Sequence, residues 1–180
     1  FSSTFVGGLI ERAEGTGLNF SARAELGVLG ADLGALKLEG DLRTSFRLFR
    51  KRFALSADAY LDNARPSYFA AHHHGTYGWW DQDLKFTRRV ELGGKIDLSS
   101  WGTRLEARTA SLQNYLYIDD QGQVQQHGDL IQVLMLRAGQ GGKVGPLNWD
   151  LEAAFQQSSA MSVLPLPSLL VAGDVYLRFL

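Results

Sequence analysis

Apolar and polar residues alternate with a period of two along most of this chain. Between Asp83 and Leu98 the even positions are apolar except for Arg88, whereas the odd positions are mainly charged. Successive side chains of a β-strand point to opposite faces of a sheet, so the pattern is typical of a strand with one apolar and one polar face. It predicts an all-β fold.

The same alternation recurs along the rest of the sequence. It is clear over residues 18–28, 36–48, 147–158 and 167–180, and weaker over residues 3–10, 53–61, 103–117 and 130–143. In the segments 3–10 and 130–143 the pattern does not tell which face is apolar. Together the segments predict roughly nine strands.

Several of these segments are longer than the ~5–6 residues usual for strands of soluble proteins. A tilted strand that crosses a bilayer needs ~9–11 residues, with lipid on one face and the barrel interior on the other. We therefore predict a transmembrane antiparallel β-barrel, with residues 1–180 as a single domain. Because single-chain bacterial barrels contain an even number of strands, roughly nine strands predict that the chain covers only part of a larger barrel.

The segments that link the predicted strands alternate in length from the third strand onward. Short links at 49–51, 99–102 and 144–146 alternate with longer ones at 62–82, 118–128 and 158–166. Transmembrane barrels have short periplasmic turns and longer extracellular loops. Residues 62–82 are therefore predicted to form an extracellular loop, although the brief link at 29–34 does not fit the alternation.

Aromatic residues fall near both ends of the predicted strands. Trp and Tyr prefer the boundary between membrane and water, where one side of the ring is apolar and the other is wet. At the short-turn end the predicted interface residues are Trp101, Trp149 and Phe179. At the long-loop end they are Tyr60, Tyr77, Trp79, Trp80, Tyr115 and Tyr117.

Charged residues occupy the predicted inner face of the strands. They are Arg23, Glu25, Lys37, Glu39, Asp41, Arg43, Arg52, Asp58, Lys85, Arg89, Glu91, Lys95, Asp97, either Arg104 or Glu106, Asp150, Glu152, Asp174 and Arg178. Such residues can line a water-filled channel and set its selectivity. They can also form cross-strand ion pairs that fill a narrow or plugged barrel. The near balance of signs fits both interpretations.

Composition excludes several other classes of protein. The net charge of −1 argues against nucleic-acid binding, which needs a basic face. The absence of cysteine excludes a disulfide scaffold, a Cys-based zinc site and a thiol nucleophile. No apolar stretch approaches the ~18 residues of a membrane helix.

Two motifs carry a resemblance to a known family. Residues 66–84 read PSYFAAHHHGTYGWWDQDL, and residues 156–167 read QQSSAMSVLPLP before a strand that ends VYLRF. Both resemble the "putative porin" family of Bacteroidota outer membranes, and the similarity is best over residues 60–180. The resemblance implies an outer-membrane, porin-like protein of a Gram-negative bacterium. It also implies a longer chain with further strands, and it names no solute.

Two clusters suggest other chemistry. The triplet His72, His73 and His74 could capture a metal ion, but a fixed site would need a further ligand, and a loop packed at the barrel mouth is the simpler interpretation. Ser158, Ser159 and His127 lie on long loops, yet no nucleophile-elbow motif accompanies them, and loop serines commonly form turns. We therefore expect no metal, no cofactor and no enzymatic activity.

The predicted function is passive diffusion of small polar solutes through a charged lumen. The expected partners are outer-membrane lipid, lipopolysaccharide, the solutes themselves and other envelope proteins. One alternative is a non-conducting barrel that serves as scaffold or accessory subunit of an outer-membrane complex. Another is a soluble, lipocalin-like barrel.

Overall fold

A computed structural model describes residues 2–13, 17–48, 50–75 and 78–179. It contains thirteen strands in the described ranges, separated by one four-residue helix, α1 (Tyr68–Ala71), and one 3-10 turn at Ser99–Trp101. The strands are β1 (Ser3–Arg12), β2 (Leu18–Gly30), β3 (Leu36–Leu48), β4 (Lys51–Ala64), β5 (His72–Gly75), β6 (Gly78–Asp81), β7 (Thr87–Leu98), β8 (Thr103–Gln113), β9 (Tyr115–Ile118), β10 (Val124–His127), β11 (Ile131–Val144), β12 (Leu147–Ser158) and β13 (Leu169–Leu177).

Nine of the strands form one antiparallel sheet in the order β1-β2-β3-β4-β7-β8-β11-β12-β13. Each strand pairs with the long strands before and after it in the chain, so the sheet is a meander. The sheet is not closed, and β1 and β13 are its two edges. The predicted all-β, antiparallel fold of about nine long strands is confirmed. The remaining strands pair as two small hairpins, β5–β6 and β9–β10.

Two predicted strands differ most from the observed ones. The segment 83–98 becomes a strand only at Thr87, because the residues before it bind the β9–β10 hairpin: the Lys85 amide donates to Gln126 Oε1 at 3.0 Å, and Gln126 Nε2 donates to Lys85 O at 2.8 Å. The segment 103–117 is split at Asn114, which has a left-handed backbone (φ 55°) and donates from Nδ2 to Phe86 O at 2.8 Å.

From β3 onward the links alternate in length, as the sequence predicts, whereas the link between β2 and β3 (residues 31–35) is brief although it lies at the long-loop end. Those between β1 and β2, β3 and β4, β7 and β8, and β11 and β12 are short, whereas residues 65–86, 114–130 and 159–168 form long links at the opposite end. The long loop begins after residue 64, not at 62, because Asp62 and Asn63 still pair with Lys37 and Leu36 of β3. Phe49, part of a predicted turn, and Leu180, at the end of a predicted strand, lie outside the described residues.

One face of the sheet carries almost all of its charged side chains. A row of directly paired residues crosses eight strands on this face: Leu9, Arg23, Glu39, Tyr60, Glu91, Ala110, Val133 and Ser158. Directly opposite residues share a face, so this row shows which residues of each strand that it crosses lie on this side of the sheet. We call this side the charged face and the other side the apolar face.

The apolar face is exposed. Leu42 is 48% accessible, Leu92 54% and Leu151 47%, and in the described part of the chain only Ala35, Ile131 and Ala154 are buried apolar residues. A soluble sheet of this size would bury its apolar side in a core. Here that side needs an apolar environment outside the described chain.

Candidate functional site

The charged face is the candidate site, because register brings most of the predicted inner-face residues together on it. Arg23 pairs with Glu39 and Glu25 with Lys37 between β2 and β3, and Lys95 pairs with Glu106 between β7 and β8. The other predicted inner-face residues found on it are Asp41, Arg43, Arg52, Asp58, Arg89, Glu91, Asp97, Asp150, Glu152 and Asp174. The sequence left a choice between Arg104 and Glu106, and the structure places both on the charged face.

Two of the predicted inner-face residues lie outside the strands. Lys85 belongs to the long loop before β7, where its backbone binds Gln126. Arg178 lies one residue beyond β13, where its amide donates to Pro146 O at 2.8 Å near the short-turn edge. The prediction of Lys85 as a residue of a membrane strand is therefore wrong, and Arg178 is a rim position.

Arg108 is the centre of an ion-pair network on this face. Its guanidinium forms a two-pronged bond to Asp58, with Nη1 to Oδ2 at 2.7 Å and Nη2 to Oδ1 at 3.1 Å. It also lies 3.7 Å from Glu91 and 3.6 Å from Glu106. Two-pronged arginine–carboxylate bonds are geometrically specific, so one cation fixes the positions of three carboxylates from three strands.

The network continues toward β12. Arg137 lies 3.2 Å from Glu152 and 3.8 Å from Glu106, so Glu106 is shared by two arginines. Arg104 reaches from β8 to Asp150 on β12, with Nη2 2.7 Å from Oδ1. Along the row of Lys95, Glu106 and Arg137 the sign of the charge therefore alternates from strand to strand.

Sequence reasoning missed Arg108 and Arg137. The period of two contained the signal for Arg108, since Arg104, Glu106 and Arg108 must share a face if the strand is regular. Arg137 had no such signal, because its segment is apolar on both faces at its start. Only the pairing of β11 with β8 places Arg137 opposite Glu106.

On β3 and β7 the charged face also contains ion pairs within single strands. Lys37 lies 2.9 Å from Glu39, and Arg43 lies 3.3 Å from Asp41. Arg89 bonds Glu91, which the network around Arg108 also contacts. Residues two apart on one strand share a face, so these pairs keep the charge locally balanced.

Tyr60 does not lie where a lipid-facing aromatic would. It is on the charged face, with Lys37 Nζ 5.8 Å and the Arg89 guanidinium 5.9 Å from its ring centre. These contacts are of cation–π type. The prediction of Tyr60 as a membrane-interface residue is corrected: the even positions of β4 lie on the charged face with Asp58, and Tyr60 belongs to them.

The short-turn edge carries an aromatic cluster that sequence reasoning found only in part. Trp101 packs edge-on against Phe53 (6.2 Å between ring centres), and Phe53 stacks on Phe46 at 5.5 Å. Lys51 Nζ lies 4.5 Å from the Trp101 ring centre. An apolar ring with a cation beside it suits a boundary between lipid and water.

The other two predicted aromatics of this edge differ in packing. The Trp149 ring covers Gly142 on β11 and occupies the place that a Cβ would take there. Phe179 follows β13 and is 77% exposed. Their placement at the membrane interface stays a prediction.

At the opposite end, the predicted aromatics belong to the two small hairpins. Trp80 stacks on His73 at 4.4 Å and donates from Nε1 to Ala70 O at 2.9 Å, while Trp79 packs edge-on against His74 and is 74% exposed. Tyr115 and Tyr117 lie on β9, opposite His127 and Gln125. Tyr77 lies outside the described residues.

The histidine triplet is part of hairpin β5–β6 and has partners there. His72 bonds Asp81 and packs on the Tyr68 ring at 4.7 Å, while His73 and His74 contact the two tryptophans. Within the described ranges, no group of three or more His, Cys, Asp or Glu residues is placed to hold a metal ion.

The two serines weighed as nucleophiles accept backbone hydrogen bonds. Ser158 Oγ accepts from the Ala160 amide at 3.2 Å, and Ser159 Oγ accepts from the Gln132 amide at 2.9 Å. His127 lies on a separate hairpin, paired with Tyr115. The serines therefore act as turn formers in the link after β12.

Long links 65–86 and 114–130 are joined by hydrogen bonds. Gln82 Nε2 donates to Val124 O at 2.8 Å, and Gln126 reaches both Lys85 and Asn114. Asp119 closes the turn between β9 and β10 by accepting from the amides of residues 121 and 123. These bonds, with one from the Gln125 side chain, hold the pKa of the Asp119 carboxyl below its usual range.

A charged face, an exposed apolar face, and links that are short at one end of the sheet and mostly long at the other define a membrane-barrel type of protein. The sequence profile of the family described as "Putative porin" matches residues 1–180. The chain belongs to this porin family, which indicates an outer-membrane location and a non-enzymatic role. No curated protein matches the chain. No helix among the described residues is both long and apolar enough to cross a membrane.

Proposed function

We propose that the chain forms part of a closed transmembrane barrel whose charged face lines a water-filled lumen for passive diffusion of small polar solutes. The observation that carries this proposal is the separation of charge by face over strands of nine to fourteen residues. Strands of this length can span a bilayer with lipid on the apolar side. Water on the charged side then solvates the ions.

Closure of the barrel requires that every strand edge be paired. Unpaired backbone groups are too costly in lipid, so a membrane sheet cannot keep open edges. In the described sheet, β1 and β13 are unpaired edges, and every residue of both strands is exposed. We propose that further strands pair with these edges and complete the barrel.

The finer setting of the protein follows from the same proposal. The long links, including residues 65–86, face the exterior of a Bacteroidota cell, and the short turns face the periplasm. The apolar face contacts outer-membrane lipid and lipopolysaccharide. Trp101 and Trp149, at the short-turn edge, lie at the periplasmic boundary of the bilayer.

A non-conducting scaffold is the second candidate, and one observation favours it. Toward the long-loop end of the charged face, Ile131 is completely buried and Ser158 is 5% exposed. The interior is therefore filled at that place. A filled lumen suits a barrel that serves as an accessory subunit of an envelope complex.

Single-channel recording separates the two candidates. The full-length protein, purified in detergent, is inserted into planar bilayers in KCl. A pore gives stepwise conductance that persists in the absence of partner proteins. Silent insertion, verified by protease protection of the inserted protein, would contradict the pore and support the scaffold.

A further inference from the structure

The strongest unassigned feature of the charged face is a glycine beneath the central ion pair. Asp58, Gly93 and Arg108 lie directly opposite one another on β4, β7 and β8. Two strand spacings separate Asp58 from Arg108, roughly 10 Å. The two side chains nevertheless meet, at 2.7 and 3.1 Å, and they do so directly over Gly93.

The space above Gly93 is filled by this pair. A Cβ at Gly93 would lie 2.7 Å from both carboxylate oxygens of Asp58 and 2.9 Å from Arg108 Cζ. Contacts this short force the neighbours to move. These atoms are ends of flexible side chains, so the ion pair can move off Gly93 without movement of the backbone.

Arg104 repeats the arrangement on the other side of β8. It crosses Gly139 on β11 to reach Asp150 on β12. A Cβ at Gly139 would lie 3.3 Å from Arg104 Nε, which is tight but needs only a small shift. Gly93 is thus the more sensitive position of the two.

We propose that Gly93, and more weakly Gly139, are size-determining positions of the lumen. Each lets an arginine of β8 lie flat against the wall and bond a carboxylate two strands away. With a side chain at Gly93, the guanidinium and carboxylate project into the lumen as separated charges. This inference rests on the proposed function, since it requires that the charged face line an open pore.

The test compares neighbouring glycines of β7 in the full-length protein. Gly94 faces the apolar side, where a Cβ would meet only Ser56 O at 4.0 Å. We expect Gly93→Val to lower single-channel conductance and shift the reversal potential in a KCl gradient, with Gly94→Val unchanged. Gly93→Ala has a smaller effect, and Gly139→Ala less still. Equal conductance and reversal potential for Gly93→Val and Gly94→Val overturn the proposal.

A second background separates steric displacement from damage to the sheet. In Asp58→Ala/Arg108→Ala, both side chains above Gly93 are short, so Gly93→Val should produce no further change. A loss of conductance as large as in the parent background would show that Gly93→Val acts through the sheet and would overturn the inference. Circular dichroism of each variant checks strand content.

Cysteine labelling keeps this test distinct from that of the proposed function. Residues 1–180 contain no cysteine, so, once any cysteine elsewhere in the full-length protein is replaced by serine, Gly93→Cys and Gly94→Cys can be probed singly with a membrane-impermeant thiol reagent. Labelling of position 93 alone supports the lumen-facing orientation. Labelling of position 94 alone contradicts the pore itself. If position 93 alone is labelled but Gly93→Val leaves the conductance unchanged, the proposed pore is supported and only the size-determining role of Gly93 is rejected.

Discussion

The charged face has two unlike halves on β8, β11 and β12. Toward the short-turn end it carries Arg104, Glu106, Arg137 and Glu152, and the Arg137 and Glu152 side chains are each 44% exposed. Toward the long-loop end the same strands present Ala110, Leu112, Ile131, Val133 and Ser158, of which Ile131 is inaccessible. Charges therefore occur where the face is open, and apolar side chains occur where it is covered.

This difference teaches that strand alternation alone does not define a lumen. Both halves lie on the same face, since the register is continuous along β8 and β11. At the covered end the hydrogen bonding between β11 and β12 continues one residue beyond the pair Val133–Ser158, since the Ser159 amide donates to Gln132 O at 2.9 Å. Apolar side chains are favoured where a face is closed to water.

The largest expected effect is at the covered end. Ile131→Ala should destabilise the folded barrel by about 2–5 kcal/mol, because it leaves a cavity in a packed site. Urea unfolding in detergent measures the change. Ile96→Ala is the matched control: Ile96 is 40% exposed on the apolar face, so detergent can fill the gap and the loss should be smaller. Equal losses would remove the distinction between the two halves.

Removing the central cation should act on selectivity at the open end. Arg108→Ala leaves Asp58, Glu91 and Glu106 without their shared arginine, so the reversal potential should shift toward cation selectivity. We expect a loss of stability of about 1–3 kcal/mol, from carboxylates that lose a charged partner. Arg88→Ala, on the apolar face, should leave the reversal potential unchanged. A shift in both variants would show that the selectivity arises outside the lumen.

Neutralising the shared carboxylate should give a smaller effect of opposite sign. Glu106→Gln frees Arg108 and Arg137 from one partner each, which shifts the reversal potential toward anion selectivity. The ion pairs are partly solvated and both arginines keep another carboxylate, so the stability change should stay within about 1 kcal/mol. A shift of the same sign as in Arg108→Ala would contradict a wall of locally balanced charge.

The smallest effect concerns the loop beyond the covered end. The pKa of Asp119 is lowered in the folded state, so its contribution to hairpin stability is present above the usual aspartate range and is lost as pH falls through the folded pKa. Acidification should therefore lower the protection factors of the β9 and β10 amides, which correct their exchange rates for the intrinsic effect of pH, and Asp119→Asn should abolish this change. Ile131 belongs to the sheet and not to the hairpin, so the free energy of unfolding of the barrel should not change with pH in the way that the stability of the hairpin does. If the two quantities change together, the hairpin and the covered half of the charged face unfold as one unit.

The sequence by itself determined the class of fold. Long segments of period two, links of alternating length and edge tryptophans are local properties, and β3 and β12 begin and end at the residues that the alternation predicts. Hydropathy also assigned the charged face of β2, β3, β4, β7, β12 and β13. The prediction from hydropathy was wrong at Lys85, which lies outside the strand because its backbone binds Gln126 in another loop.

Only the tertiary structure decided which side chains meet. Arg108 and Asp58 are fifty positions apart, and nothing in the alternation of either strand tells that they face each other across Gly93. The face of Arg137 and the burial of Ile131 were likewise undecided, because β11 is apolar on both faces near its start. The physical reason is that alternation fixes the side on which a residue lies, whereas register fixes its neighbours, and register depends on pairing between distant segments.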